Sequence, residues 1–97
     1  MPAINIANNG AILVSSARVV AVNDNKINMV VGWGNTNFEW VVQTDKTTKF
    51  IDTSGKYLNI SNIQFGSEIT VTGKLIDRGQ GENPLIDAEF VRILPQN

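Results

Sequence analysis

The chain has 97 residues, room for one domain around one core, and its eight basic and nine acidic side chains leave a formal charge of −1. It contains neither cysteine nor histidine, which removes disulfides, thiolate chemistry, the commonest metal ligand and the commonest general base. The lysines and arginines are scattered, mostly with an acid close by in sequence, whereas a nucleic-acid binder needs clustered cations.

Residues 1–10 (MPAINIANNG) are polar, rich in asparagine and closed by Asn9-Gly10, and they read as a flexible leader to a single domain over residues 11–97. The first basic residue is Arg18, and the apolar run over residues 11–14 is far too short for a signal peptide or a membrane span. An exported form would therefore need a signal sequence ahead of Met1. Otherwise the cytoplasm is expected, and the lack of cysteine fits either compartment.

From residue 11 onward apolar residues recur with period two and β-branched residues dominate, the signature of strands. The first strand is expected over residues 11–22. It is apolar on both faces, with Ala17, Val19 and Ala21 on one side and Val20 and Val22 on the other, as suits a strand bent across a barrel. Asn23-Asp24-Asn25 supplies a tight turn. The second strand covers residues 26–33, with Ile27, Met29, Val31 and Trp33 in one phase. Gly34-Asn35-Thr36-Asn37 forms a hairpin tip, and the third strand covers residues 38–44 with Phe38, Trp40 and Val42 facing in.

Between Asp45 and Gly66 the alternation breaks. Phe50 and Ile51 fit a short strand end, and Ser61 is placed to cap one helical turn. The fourth strand, residues 68–75, directs Ile69, Val71, Gly73 and Leu75 inward, and a glycine inside a strand marks a bulge or sharp bend. Residues 77–84 (DRGQGENP) form a polar loop. The fifth strand, residues 85–94, slips phase near Phe90. A three-strand meander, an irregular connection with a helical turn, and two further strands spell an all-β, five-stranded OB-type Greek-key barrel. Its interior is expected to hold Val19, Met29, Trp40, Val71 and Ala88.

Three stretches resemble a group of uncharacterised bacterial OB-like domains of the envelope or secreted type. They are residues 17–22 followed by a turn and Ile27, residues 63–73, and residues 86–93. The second and third are similar to that group's Gly-x-x-Val-x-Val-x-Gly and Ile-x-Ala-x-x-Ile patterns, and Trp33, Trp40 and Thr48-Lys49-Phe50 hold similar relative places. The chain departs from the group at Ala17, where glycine is usual, and at Ser67, where aspartate is usual. These motifs are packing and turn signals, so the resemblance implies a fold and carries no chemistry.

Catalysis finds little material here. Asp87 and Glu89 share a strand face but read as a solvated wall, since acid–base work needs paired carboxylates in different environments. Asp24 with Asp77 or Glu82 offers too few oxygens for a calcium site. No histidine or activated lysine accompanies the serines and threonines, and no cofactor or metal is expected.

Binding is the better expectation. OB folds conventionally meet ligands on the outer face of the second and third strands and at the loops of one end. In this chain that set is Lys26, Asn28, Val30, Glu39, Val41 and Gln43, with Arg78 and Gln80 from the loop and Trp33 from the hairpin. Trp33 lies between two glycines, so its ring is either folded down as a lid on the core or presented as a platform. A non-enzymatic module with a protein or carbohydrate partner, or a building block of a larger assembly, is expected. Single-stranded nucleic acid is the alternative, supported by fold analogy and opposed by charge.

Overall fold

Residues 3–33, 35–76 and 83–95 are described by a computed structural model, with the backbone alone at Trp33. Among the described residues there are eight strands: β1 (Ala3–Ile6), β2 (Ala11–Asn23), β3 (Lys26–Trp33), β4 (Thr36–Gln43), β5 (Lys49–Asp52), β6 (Tyr57–Leu58), β7 (Glu68–Ile76) and β8 (Leu85–Ile93). Five of them close a barrel. β2, β3 and β4 pair as an antiparallel meander, β4 pairs β8 in parallel, β8 pairs β7 antiparallel, and β7 returns to β2. This closed Greek-key path is consistent with a small OB-type barrel. The helical turn is a 3-10 turn at Ile60–Asn62.

Two additions widen the wall. Ala3–Ile6, set apart as a leader by its composition, forms β1 against β2, with Ala3 opposite Ser15 and Ile6 opposite Ile12. Lys49–Asp52 and Tyr57–Leu58 form a small hairpin whose first strand runs parallel to β8, Lys49 opposite Phe90 and Ile51 opposite Arg92. Polar turns hold this segment. The Asp52 carboxylate accepts from the Ser54 hydroxyl at 2.6 Å and from the Ser54 and Lys56 amides at 2.9 and 3.0 Å. The Asp45 carboxylate accepts from the Thr47 hydroxyl at 2.6 Å and its amide at 2.8 Å. Buried Thr48 then donates to the Ala88 carbonyl at 2.9 Å, fastening the loop to β8. The N-cap of the 3-10 turn is Asn59, which accepts from the Ser61 amide at 2.9 Å and closes a capping box with Asn62. Ser61, the cap expected from sequence, sits inside the turn because the asparagine two residues earlier reaches its amide first.

The long first strand bends as its two-faced pattern requires. Ser16 adopts a left-handed backbone with φ of 58°, and the register to β7 slips between Val14 and Ala17, so both of those side chains face the interior. A second slip lies between Val19 and Ala21. It reverses the expected phase: Val22, opposite Ile27, packs against the core in place of Ala21. At Gly73 the register to β8 slips once more, which accounts for the phase break near Phe90. A side chain at Gly73 would strike the Asp87 carbonyl oxygen and come within 2.9 Å of the Ala88 Cα. Glycine is there to let two backbones approach.

The expected interior residues Val19, Met29, Trp40, Val71 and Ala88 are all buried, alongside Val14, Ile27, Ile69, Ile86 and Val91. Burying each large aliphatic contributes about 1.5–3 kcal/mol. Phe38 departs from its expected place and is 48% exposed. β8 flanks β4 only over Val41–Gln43, so the alternation phase of Phe38 points it toward a part of the wall that has no strand beside it among the described residues. Inside the barrel the Trp40 indole N–H has no acceptor among the described residues.

Candidate binding surface

A filled interior leaves the outer wall to carry any ligand. On the β3–β4 side, the expected residues meet as three cross-strand pairs on one face: Lys26 with Gln43, Asn28 with Val41, and Val30 with Glu39. Lys26 and Glu39 are exposed and the other four half-buried. Glu39 is already engaged, accepting from the Asn83 side-chain amide at 2.6 Å. Trp33 pairs with Thr36 near the hairpin tip, in the alternation phase of Ile27, Met29 and Val31, opposite to that of Lys26, Asn28 and Val30. Its side chain, and the residues Arg78 and Gln80, lie outside the described residues.

The other wall is built from β1, β2, β7, β8, β5 and β6. Register aligns its outward residues in two rows. Asn5, Leu13, Thr72, Phe90 and Lys49 form one, and Thr70, Arg92, Ile51 and Tyr57 the other. One groove of about 590 Å³ runs from Asn5 and Ile6 over Leu13 and Thr72 to Phe90, with Glu89 at its rim. A second, of about 280 Å³, continues over Thr70 to Ile51 and Arg92 and shares Leu13, Thr72 and Phe90 with the first. Ile6, Phe90 and Tyr57 are exposed. The Lys49 ammonium lies 5.8 Å from the centre of the Phe90 ring, a cation–π contact worth about 0.5–1 kcal/mol at an exposed site. Neither Lys49 nor Arg92 forms an ion pair with a described residue.

Sequence reasoning about ligands passed over this wall. The signal lay in the phase slip near Phe90: the slip that keeps Val91 inside turns Phe90 outward with Arg92. The partner residues Lys49, Ile51 and Tyr57 come from the irregular segment, where alternation gives no phase.

The acids lend themselves to structure. Hydrogen bonds from the Thr47 hydroxyl and then its amide hold the Asp45 carboxyl below its ordinary value, and the Ser54 hydroxyl and the Lys56 amide do the same for Asp52. Among the described residues, no group of three or more acids is placed to hold a metal ion, and no helix is long and apolar enough to cross a membrane. Comparison with protein-family models, with curated proteins and with solved structures finds no match.

Proposed function

We propose that the domain is a non-catalytic binding or assembly module whose partner, a protein segment or a carbohydrate, docks on the outer wall of the barrel. The observation that carries this reading is the contrast between a filled interior and a continuous outer groove floored by Leu13, Thr72 and Phe90. Concave surfaces with an apolar floor and a few polar groups at the rim are where ligands gain most from leaving water. The chemistry of the chain supports binding over turnover. There is no histidine or cysteine, and Asp45 and Asp52 spend their carboxylates on turn hydrogen bonds. Single-stranded nucleic acid is a second reading, favoured by the aromatic ring between Lys49 and Arg92 and opposed by the net charge and by Glu89 at the rim.

The test is a set of amide-resonance titrations with a soluble oligosaccharide, an unstructured peptide and oligothymidylate. Saturable shifts from the peptide or the sugar along Leu13, Thr72 and Phe90, or along Asn28 and Val41, are expected. Shifts from oligothymidylate alone would transfer the domain to the second reading. Silence to all three probes would overturn both.

A further inference from the structure

Resting on that reading, we propose that the wall of β7, β8, β5 and β6 docks an extended, acidic segment of another protein, in which an acidic residue stands two positions from an apolar one. The argument starts from the register. Phe90 and Arg92 are successive outward residues of β8, and Lys49 and Ile51 are successive outward residues of the neighbouring β5. Side by side they make a four-cornered patch with apolar groups on one diagonal, Phe90 and Ile51, and cations on the other, Lys49 and Arg92. Tyr57 stands directly opposite Ile51 in the same row and extends its apolar corner outward, and it is 69% exposed.

The spacing matches an extended chain. Outward residues of one strand are about 6.6–6.8 Å apart, and neighbouring strands about 4.8 Å. A peptide in extended form also turns every second side chain to one face at that same step. Laid along β8 or β5, it meets one apolar corner and one cationic corner in each two-residue step, so acid-x-apolar is its complement. The charge has no competing use, because both cations lack an ion pair among the described residues. The Arg92 guanidinium is suited to grip a carboxylate with two parallel hydrogen bonds, and Lys49 keeps its ammonium beside the ring. Thr70 and Thr72 border the patch and supply hydroxyls for the peptide backbone.

Nucleic acid fits this patch less well. Its affinity grows with the number of phosphates neutralised. Two cations with Glu89 at the rim neutralise few, whereas two carboxylates are answered one to one.

The experiment is fluorescence anisotropy with a rhodamine-labelled peptide, Gly-Ser-Asp-Ser-Leu-Ser-Asp-Ser-Leu-Ser, against the full chain. Saturable binding is expected, weakened by about tenfold or more on going from about 50 to about 300 mM salt, as screening shortens the reach of exposed charges. It should weaken by about tenfold or more in Lys49→Glu with Arg92→Glu, where two attractions become repulsions, and again in Phe90→Ala, where the apolar corner is lost. Lys26→Glu, on the opposite wall, should leave it unchanged, and all variants should keep a single cooperative melting transition to show that they fold. A peptide with lysine in place of aspartate should not bind. Binding that ignores the Lys49, Arg92 and Phe90 variants, or no binding at up to about 1 mM peptide, overturns the inference. Tighter binding of decathymidylate through the same residues overturns it in favour of nucleic acid. Loss in Lys26→Glu alone moves the site to β3–β4 and leaves the binding-module reading standing.

Discussion

The two outer walls of this barrel are made of different strands with the same in–out alternation, and they differ in what their side chains have left to do. On β3 and β4, Lys26, Asn28, Val30, Glu39, Val41 and Gln43 are arranged in polar–polar and polar–apolar pairs, and Glu39 is occupied by Asn83. On β7, β8, β5 and β6, an aromatic ring, a half-buried isoleucine and Arg92 line a groove, with Lys49 beside the ring, and neither cation has an ion pair among the described residues. Fold convention selects the first wall; the chemistry of unspent groups selects the second. A fold fixes where a ligand can reach, and the side chains decide where it gains anything by stopping.

The contrast between interior and wall can be broken first by truncating one aromatic of each. Trp40→Ala, inside the barrel opposite Met29, should cost about 3–5 kcal/mol in denaturant melts. Phe90→Ala should cost about 1 kcal/mol, in keeping with a ring only part of whose surface leaves water. Equal large losses would make Phe90 part of the core and empty the groove of its functional reading.

The wall is not uniformly permissive, and Gly73 marks the place. Gly73→Ala adds one methyl group where the backbone of β8 already stands, against Asp87 and Ala88. Two pieces of backbone cannot yield as a flexible side chain does, so a loss of about 1–3 kcal/mol is expected from the same melts. A loss near zero would mean that β7 and β8 separate freely at the slip, and the alignment of Phe90 with Thr72 would lose its basis.

A smaller effect tests the interior by itself. The Trp40 indole N–H is buried without an acceptor among the described residues, and leaving such a donor unpaired costs about 1–3 kcal/mol. Trp40→Phe removes that donor while shrinking the ring, so the cost of lost packing and the gain from the missing polar group oppose each other. The variant should melt within about 1 kcal/mol of the parent, far from Trp40→Ala. A loss as large as that of Trp40→Ala would show that the N–H is satisfied in solution.

Much of this architecture is legible in the sequence because alternation and turn chemistry are local. The five barrel strands, the bulge at Gly73, the slip near Phe90 and the tight turn at Asp24 all follow from residue types within a few positions. The exceptions depend on what lies across the sheet. Phe38 has the phase of a core residue and an exposed ring, because β8 begins to flank β4 only at Val41. Val22 replaces Ala21 inside because of a slip that neither residue announces. The candidate groove suffered most, since Lys49, Ile51 and Tyr57 belong to a segment whose order comes from Asp45, Asp52 and Asn59 capping short turns.

Those turns set the last and smallest prediction, which asks whether the β5–β6 wall can be loosened while the barrel stays closed. In the folded chain the carboxyls of Asp45 and Asp52 are held below their ordinary value of 3.8, chiefly by the hydroxyls of Thr47 and Ser54. A carboxyl with a depressed folded value favours the folded state once it is ionised. Its contribution is therefore complete above the ordinary value and fades as pH falls through the depressed one. The melting temperature should hold steady down to about pH 5 and decline below about pH 4 as these acids take up protons. Asp45 is exposed and Asp52 half-buried at the surface, where water screens their interactions, so the decline should be shallow. In Asp45→Asn with Asp52→Asn the melting temperature at neutral pH should be lower than the parent's, and the gap should close as pH falls, because the parent then loses what the variant never had. Hydrogen exchange should place the acid response in residues 45–58 and leave the amides of Val71 and Val91 protected. A gap that stays constant from pH 7 to pH 3 would show that these carboxylates serve the turns no better charged than neutral, and the hairpin that carries Lys49 and Tyr57 would owe its order to the sheet alone.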